Sequence, residues 1–333
     1  MGNFDEDFTI KESQKDQDVL TYTASTLGEF CDIVDNITHH WRLKASQRQK
    51  AKPPKADLFP GELSPWFRGI TQESYECEPT LLREINKNFI WEKLGCDDKE
   101  RIVKIEDYFL QRFITFGSPH LKRIPEKKIH WFFLMQHHGV PTRLLDWSKS
   151  SFMALFFAIR KYQEKEIIYE NKTIPNAAIW MLEPRRLSEV CHKTRSIYGA
   201  NISDHIDVLD NYLNLSNNAK ERDRAFPIPL IPDLVSPRIT SQVGRFTFHT
   251  DRRNKLIEFA NNLYNEKKIW YLVKIIIPAS EHRKILRSIR VAGISFMNIK
   301  EDLDGVAEEL KWRMRLGVDD HNTYKNLGSD LDC

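Results

Sequence analysis

Hydrophobic and polar positions alternate along this chain with two periods, one typical of helices and one typical of strands. Apolar residues recur every three or four positions in six segments, which predicts amphipathic or buried helices. These segments are STLGEFCDIVDNITHHWR (25–42), PTLLREI (79–85), RIVKIEDYFLQRFITFG (101–117), PEKKIHWFFLMQHHG (125–139), SFMALFFAIRKYQEKE (151–166) and SEHRKILRSIRVAGI (280–294). Short apolar runs predict strands at five further places. They are SPWFRGI (64–70), TRLLDW (142–147), NAAIWMLEP (176–184), SPRITSQVGRFTFHT (236–250) and IWYLVKIIIP (269–278).

Residues with special backbone preferences predict several element ends. Ser25 and Thr26 are suited to cap the first helix, and Ser280 is suited to cap the last one. Gly139 predicts the end of the fourth helix, because glycine readily adopts the left-handed conformation that closes helices. Gly244 interrupts an alternating apolar segment, which predicts a turn, a bulge or a close ligand contact.

The order of these elements predicts an α+β fold with a mixed sheet core, flanking helices and an N-terminal helical extension. Residues 1–20 are polar and are expected to form a mobile N-terminus. Residues 21–62 hold the first helix and then a basic, proline-bearing linker, LKASQRQKAKPPKADLFPGE. The main domain is expected at residues 63–316, followed by a polar tail at 317–333.

Composition and charge favour a soluble globular protein of the cytoplasm. Hydrophobic residues make up 41% of the chain and charged residues 29%, which is typical of a folded domain. No apolar run reaches the roughly 18 residues that a membrane span requires. The five cysteines are scattered, so free thiols in a reducing compartment are expected. The formal charge of +3 is small, and a solvated linker is a better interpretation of the basic segment than RNA or DNA binding.

Two adjacent histidines, His137 and His138, raise the question of a metal site. Neighbouring side chains on a helix point about 100° apart, whereas histidines that share one metal are spaced four residues apart. We therefore expect one packed and one exposed histidine, and no metal. The chain also lacks a Gly-x-x-x-x-Gly-Lys phosphate loop, a Gly-x-Gly-x-x-Gly turn and a Gly-x-Ser-x-Gly elbow, which excludes the common scaffolds built on them.

The segment WFRG is the first candidate for chemistry. It places Arg68 on a short apolar strand, where a guanidinium could hold a phosphate or carboxylate with two hydrogen bonds. Gly69 would let a ligand approach the backbone closely. The competing interpretation is a structural arginine paired with a carboxylate such as Asp146.

The segment TRLLDWSKSSFMALFFA is the second candidate. Thr142, Arg143 and Asp146 precede an apolar helix that Ser148 or Ser150 would cap, and the amides at the start of that helix could receive an anion. Capping together with an Arg143–Asp146 ion pair explains the same residues without a ligand.

These segments together resemble the FRG domain family, which is named for a Phe-Arg-Gly triplet, here Phe67, Arg68 and Gly69. The similarity runs in order through WFRG, QHHGVPTRLLDWSKSSFMALFFA, PRITSQVGRFTFH and VKIIIPASEHRKILRSIRVAGI, from about Leu63 to Met314. The family is bacterial and phage-borne and has no well-established activity. A role in phage–host conflict is implied by where the family occurs.

A looser resemblance connects the same segments to mono-ADP-ribosyltransferases of the arginine–serine–glutamate type. Those enzymes have a strand ending in Arg or Arg-Gly, a Ser-x-Ser strand leading to an apolar helix, and a strand with a catalytic Glu. Here Arg68-Gly69 and Ser148-x-Ser150 match the first two, and Gln242 stands where the glutamate is expected.

This resemblance implies an enzyme that handles NAD or another nucleotide, as an ADP-ribosyltransferase or NAD glycohydrolase acting on a protein or nucleic-acid acceptor or on water. Arg68 would hold the pyrophosphate or ribose, the Gly69 backbone would dock the nicotinamide amide, and Ser148 and Ser150 would orient the ribose. Thr142 and Arg143 are further candidates for contacts to the nucleotide.

Departure of nicotinamide leaves an oxocarbenium-like centre that requires a nearby carboxylate. Gln242 is neutral and can only hydrogen-bond a ribose hydroxyl, so Asp146 or Glu183 would have to take the catalytic role. The competing class is a non-enzymatic interaction or sensor module, in which Arg68, Arg143 and Asp146 form a buried ion-pair network.

Overall fold

A computed structural model describes residues 19–51, 64–87, 98–160, 174–192, 197–199, 227–232, 244–249, 256–267, 270–299 and 303–316. The described strands are β1 (Thr21–Thr23), β2 (Trp66–Ile70), β3 (Leu144–Ser148), β4 (Ala177–Leu182), β5 (Tyr198–Gly199), β6 (Ile228–Ile231), β7 (Gly244–Phe248) and β8 (Leu272–Ile277). The described helices are α1 (Leu27–Ala51), α2 (Thr80–Lys87), α3 (Asp98–Gly117), α4 (Lys128–His137), α5 (Ser151–Ile159), α6 (Pro184–His192), α7 (Leu256–Lys267), α8 (His282–Val291), α9 (Phe296–Ile299) and α10 (Leu303–Leu316). Short 3-10 turns span Ser118–His120 and Ala279–Glu281.

The described strands form one mixed sheet in the order β1-β8-β4-β2-β3-β7-β6-β5. The outer pairs β1–β8 and β5–β6 are parallel, and the neighbours between them are antiparallel. The α+β class with a mixed sheet core is therefore confirmed.

Helices cover both faces of the sheet and bury its apolar side chains. On one face α1, α5 and α8 pack against β2, β4 and β8. On the other face α6 and α7 pack against side chains such as Trp66, Trp147 and Trp180. The helix α4 lies against β3, β6 and β7 through a separate cluster that includes Phe133 and Phe246. All six residues of β4 are buried, which explains why that strand is a continuous apolar run.

The centre of the sheet is opened between β2 and β3. The strand β2 pairs with β4 at five positions, from Trp66 opposite Leu182 to Ile70 opposite Ala178. Between β2 and β3, both of which are fully described, there is one paired position, Phe67 opposite Ser148. The two strands therefore diverge beyond this pair, and the space between them is available to side chains.

Two predicted caps are confirmed by hydrogen bonds or dihedrals. The amide of Glu29 donates to Thr26 Oγ1 at 3.1 Å, so Thr26 caps the helix, and the amide of Ser25 donates to Glu29 Oε2 at 2.8 Å. Gly139 follows α4 with a φ of 78°, as a helix-closing glycine requires.

Three predicted boundaries are wrong. The helix α1 continues to Ala51, because the residues after Leu43 are good helix formers and the first proline comes only at Pro53. The last predicted helix does not use Ser280 as its cap, because a 3-10 turn comes first and α8 begins at His282 without a side-chain cap. The predicted turn at Gly244 is wrong, because this residue is the first of β7 and pairs with Ser148, whereas the alternative of a ligand contact there stays a prediction.

Other expectations are tested within the described residues. No helix there is both long enough and apolar enough to span a membrane. The three cysteines in the described part of the chain, Cys31, Cys77 and Cys191, have free thiols. The polar N-terminus, most of the basic linker after Ala51 and the polar tail lie outside the described residues.

Candidate functional site

A pocket of about 550 Å³ lies where β2 and β3 diverge. Its walls come from β2, β3, β7 and the helices α2, α4 and α5. The lining residues that matter below are Arg68, Gly69, Tyr75, Arg83, Gln136, His137, Asp146, Trp147, Ser148, Phe157, Arg160, Gly244 and Phe246. Four of the residues singled out in the sequence, Arg68, Gly69, Asp146 and Ser148, are therefore on one pocket surface.

Arg68 bridges the opening between the two strands. Its Nη1 donates to the main-chain oxygen of Asp146 at 2.8 Å and lies 4.0 Å from the carboxylate Oδ2 of the same residue. The Arg68 Nε is buried and has no hydrogen-bond partner among the described residues. A long ion pair to a carboxylate whose side chain is 56% exposed is weak, so both groups are available to a ligand.

Asp146 is the carboxylate of the pocket, and a neighbouring amide orients it. Gln136 Nε2 donates to Asp146 Oδ2 at 2.6 Å, while Gln136 Oε1 accepts from Thr142 Oγ1 at 2.6 Å. The Asp146 side chain is open to the pocket, but the pocket walls shield it from bulk solvent, and this desolvation raises its pKa above the usual range; the Arg68 charge and the Gln136 hydrogen bond act in the opposite direction. The structure therefore holds this carboxyl group in a fixed orientation next to a guanidinium.

The two serines of the Ser-x-Ser segment have different positions. Ser150 caps α5, because its Oγ accepts from the amide of Met153 at 3.2 Å. Ser148 Oγ accepts from the amide of Ser150 at 3.0 Å and lines the pocket. Of the pair, Ser148 is the one in position to contact a ligand, whereas Ser150 does not line the pocket.

Gly69 has a packing role in addition to its place in the pocket wall. A Cβ atom built on Gly69 would lie 1.8 Å from the main-chain oxygen of Ala154 and 2.9 Å from the amide nitrogen of Ala158. A side chain at this position therefore collides with the backbone of α5. The glycine is required for close contact between β2 and that helix, whether or not a ligand approaches it.

Arg143 and Thr142 do not line the pocket, and the predicted Arg143–Asp146 ion pair is wrong. Arg143 is fully buried, donates from Nε to Glu106 Oε2 of α3 at 2.9 Å, and lies 4.6 Å from the ring centre of Phe248. Residues three apart on an extended segment point to opposite sides, so Arg143 and Asp146 do not form an ion pair with each other. Thr142 is connected to the pocket through the hydrogen bond that its hydroxyl donates to Gln136.

Of the two remaining candidates, one lies outside the described residues and the other does not line the pocket. Gln242 lies outside the described residues. Glu183 follows β4, where its amide donates to the main-chain oxygen of Tyr271, and it is not among the lining residues. Asp146 is therefore the acidic side chain that the described structure provides there.

A buried polar chain supports the pocket wall at Trp147. The indole Nε1 of Trp147 donates to Thr247 Oγ1 at 2.9 Å, and that hydroxyl lies 2.9 Å from Nε2 of His249. Burial, and secondarily the charge of Arg68, lowers the pKa of His249 to about 3. His249 is therefore neutral at physiological pH, and its Nε2 can accept a hydrogen bond from the Thr247 hydroxyl.

Several pocket residues were not identified from the sequence. Arg83 comes from α2 and Arg160 from the end of α5, where its guanidinium lies 4.6 Å from the ring centre of Phe157. His138 is exposed, as expected for one histidine of the pair, whereas His137 is partly buried and lines the pocket. Within the described residues no group of three or more His, Cys, Asp and Glu side chains could hold a metal ion.

A family comparison matches the part of the chain that supplies most of the described pocket residues. The model of the FRG domain matches residues 64–167, a span that includes β2, α2, α3, α4, β3 and α5. Comparisons with curated proteins and with solved structures found no match. Arg68, Arg83, Asp146 and Ser148 all fall within the matched span. The chain therefore carries an FRG domain.

Proposed function

We propose that this protein binds NAD, or a closely related nucleotide, in the pocket between β2 and β3 and breaks its nicotinamide–ribose bond. It would act as a mono-ADP-ribosyltransferase or an NAD glycohydrolase. The observation that carries this proposal is the convergence of Arg68, Asp146 and Ser148 on one pocket, although β2 and β3 are separated by more than 70 residues. Convergent polar groups in a concave site are typical of small-molecule binding.

The size and charge of the pocket support an anionic ligand of this class. Its volume of about 550 Å³ lies within the range of roughly 300–1,000 Å³ that small-molecule sites occupy. Among the described residues the charged side chains of the lining are three arginines and one aspartate, so an anion is attracted. Aromatic side chains in the described lining could contact the faces of flat rings; they are Phe67, Tyr75, Phe133, Trp147, Phe157 and Phe246.

The reaction requires a group that stabilises positive charge on the sugar. When the bond between ribose C1′ and the nicotinamide nitrogen breaks, nicotinamide leaves with the electron pair and C1′ becomes positively charged. The Asp146 carboxylate would stabilise that charge. Water or an acceptor group then forms the new bond to C1′, and its proton passes to Asp146 or to solvent. Asp146 would thus supply the carboxylate that the family resemblance expects where Gln242 stands.

The test is NAD binding by calorimetry together with nicotinamide release followed by chromatography. Arg68→Ala should lose both binding and release. Asp146→Asn should still bind NAD but release nicotinamide at least about 100-fold more slowly than wild type, which is the usual effect of removing one electrostatic stabiliser. Arg283→Gln, which removes an exposed arginine on α8, is the matched control. Absence of wild-type binding at millimolar NAD would overturn the proposal.

A non-enzymatic sensor or interaction module is the second candidate. The glutamine at position 242 favours it, because a neutral amide cannot provide the expected negative charge. Saturable NAD binding without nicotinamide release by the wild-type protein would support this candidate. A role in phage defence rests on the family resemblance, and it is tested by comparing phage plaque numbers on cells that express wild type or Asp146→Asn.

A further inference from the structure

We infer that Arg83 completes an anion subsite with Arg68, and that this subsite takes the diphosphate of a dinucleotide or of another diphosphate-bearing ligand. The identity of that ligand as NAD rests on the proposed function. The subsite itself rests on the described geometry and would exist for any diphosphate. Arg83 belongs to α2, outside the segments whose chemistry the sequence indicated.

The first support is the distribution of charge in the pocket. Arg68, Arg83 and Arg160 contribute three positive charges to the lining, and Asp146 contributes one negative charge. Asp146 lies close to Arg68 at 4.0 Å, and no ion pair is found for Arg83 among the described residues. An uncompensated guanidinium in a cavity concentrates anions there.

The second support is that both guanidinium groups have hydrogen-bonding capacity left. The Nε atoms of Arg68 and Arg83 are buried and have no hydrogen-bond partner among the described residues. A buried donor without a partner costs free energy. A phosphate group, whose oxygens accept in the fork geometry that arginine offers, would satisfy donors of both residues at once.

The third support is that Arg83 is held on a fixed element. Its Nη2 donates to Thr80 Oγ1 one turn earlier at 3.0 Å, which orients the guanidinium. The opposite face of α2 is anchored by Leu81, Leu82 and Ile85, which pack with residues of α3 in a buried cluster. The amide of Leu81 also donates to the main-chain oxygen of Thr142 at 3.2 Å, two residues before β3. The helix is thus tied to the strand that carries Asp146.

The experiment measures the affinity of wild type, Arg83→Gln, Arg83→Lys and Arg283→Gln for three probes by calorimetry. The probes are inorganic pyrophosphate, ADP-ribose and nicotinamide riboside, which has no phosphate. We expect Arg83→Gln to weaken ADP-ribose and pyrophosphate by about 10- to 100-fold, the range for one charged hydrogen bond. Arg83→Lys should give an intermediate loss, because it keeps the charge but not the fork. Arg283→Gln should match wild type.

Two results would overturn the subsite. One is an Arg83→Gln affinity for ADP-ribose within twofold of wild type, and the other is an equal loss for nicotinamide riboside, which would indicate a deformed pocket. Failure of the subsite is distinguishable from failure of the proposed function. Arg83-dependent binding of pyrophosphate without nicotinamide release from NAD would keep the subsite and reject the reaction. Nicotinamide release by Arg83→Gln with an unchanged KM for NAD would keep the reaction and reject the subsite.

Discussion

Replacement of Gly69 by alanine tests whether the glycine of the Phe-Arg-Gly triplet is needed for packing. The added Cβ would lie 1.8 Å from the main-chain oxygen of Ala154 and 2.8 Å from its carbonyl carbon. An ordinary contact between a methyl carbon and an oxygen is near 3.4 Å, so β2 and α5 would have to separate by about 1.5 Å. Because both contacting groups are backbone, no side-chain rotation can relieve the collision.

We therefore expect Gly69→Ala to lower the free energy of unfolding by about 3 kcal/mol or more, at the upper end of the range for overpacked cores. Urea denaturation followed by tryptophan fluorescence measures this value. The matched control is Gly28→Ala in α1, where the nearest atom to a new Cβ is 3.8 Å away, and where alanine should stabilise the helix by about 0.5–1 kcal/mol. A Gly69→Ala protein within 1 kcal/mol of wild type would refute the packing explanation.

Three further predictions concern stability. Glu106→Gln should lower the free energy of unfolding, measured by urea denaturation, by about 3 kcal/mol, because it leaves the charge of Arg143 buried without its partner. Arg68→Ala should lower it by less than about 1 kcal/mol, because the carboxylate of its ion pair is exposed. The folded-state pKa of His249 lies below its unfolded value, so its contribution to stability is present above pH 6.5 and is lost as pH falls toward 3. Between pH 6 and 4 the unfolding free energy of wild type should therefore fall by roughly 1 kcal/mol per pH unit more than that of His249→Asn. Thr26→Ala should lower the unfolding free energy by about 1 kcal/mol through loss of the α1 cap, and an unchanged midpoint would contradict that.

Local patterns in the sequence predicted most of the inner strands but not their arrangement. The segments around WFRG, LLDW, AIWML and YLVKIII are strands because apolar, β-branched and aromatic residues fill buried positions in them. The sheet order joins residues far apart in the chain, such as Phe67 and Ser148, and no local pattern encodes such pairing. The sequence did not predict the short strands β1, β5 and β6 or the helices α6, α7, α9 and α10, since each is brief or has a mixed polar pattern.

Local patterns also predicted part of the site, namely the polar residues that lie on the apolar strands. Arg68 and Asp146 are polar residues within otherwise apolar strands, which makes them visible as exceptions to the pattern. Arg83 and Arg160 are polar residues on helices, where a charged side chain is normally a solvated one. Their contact with the pocket depends on how α2 and α5 pack, so the sequence alone did not distinguish them from surface arginines.

The contact between Arg68 and Asp146 bears on how one pocket could both bind an anion and stabilise a cation. Without a ligand, the Asp146 charge is partly compensated by Arg68 at 4.0 Å. In the proposed reaction a phosphate would take Arg68 as its partner when the substrate binds, so Asp146 would lose part of that compensation before positive charge develops on C1′. The carboxylate would therefore exchange one cationic partner for another, and this favours the charge-separated transition state over the bound substrate. That exchange requires the arginine and the carboxylate to be neighbours in a weak, accessible pair. A tight buried pair such as Arg143–Glu106 could not separate at a comparable cost.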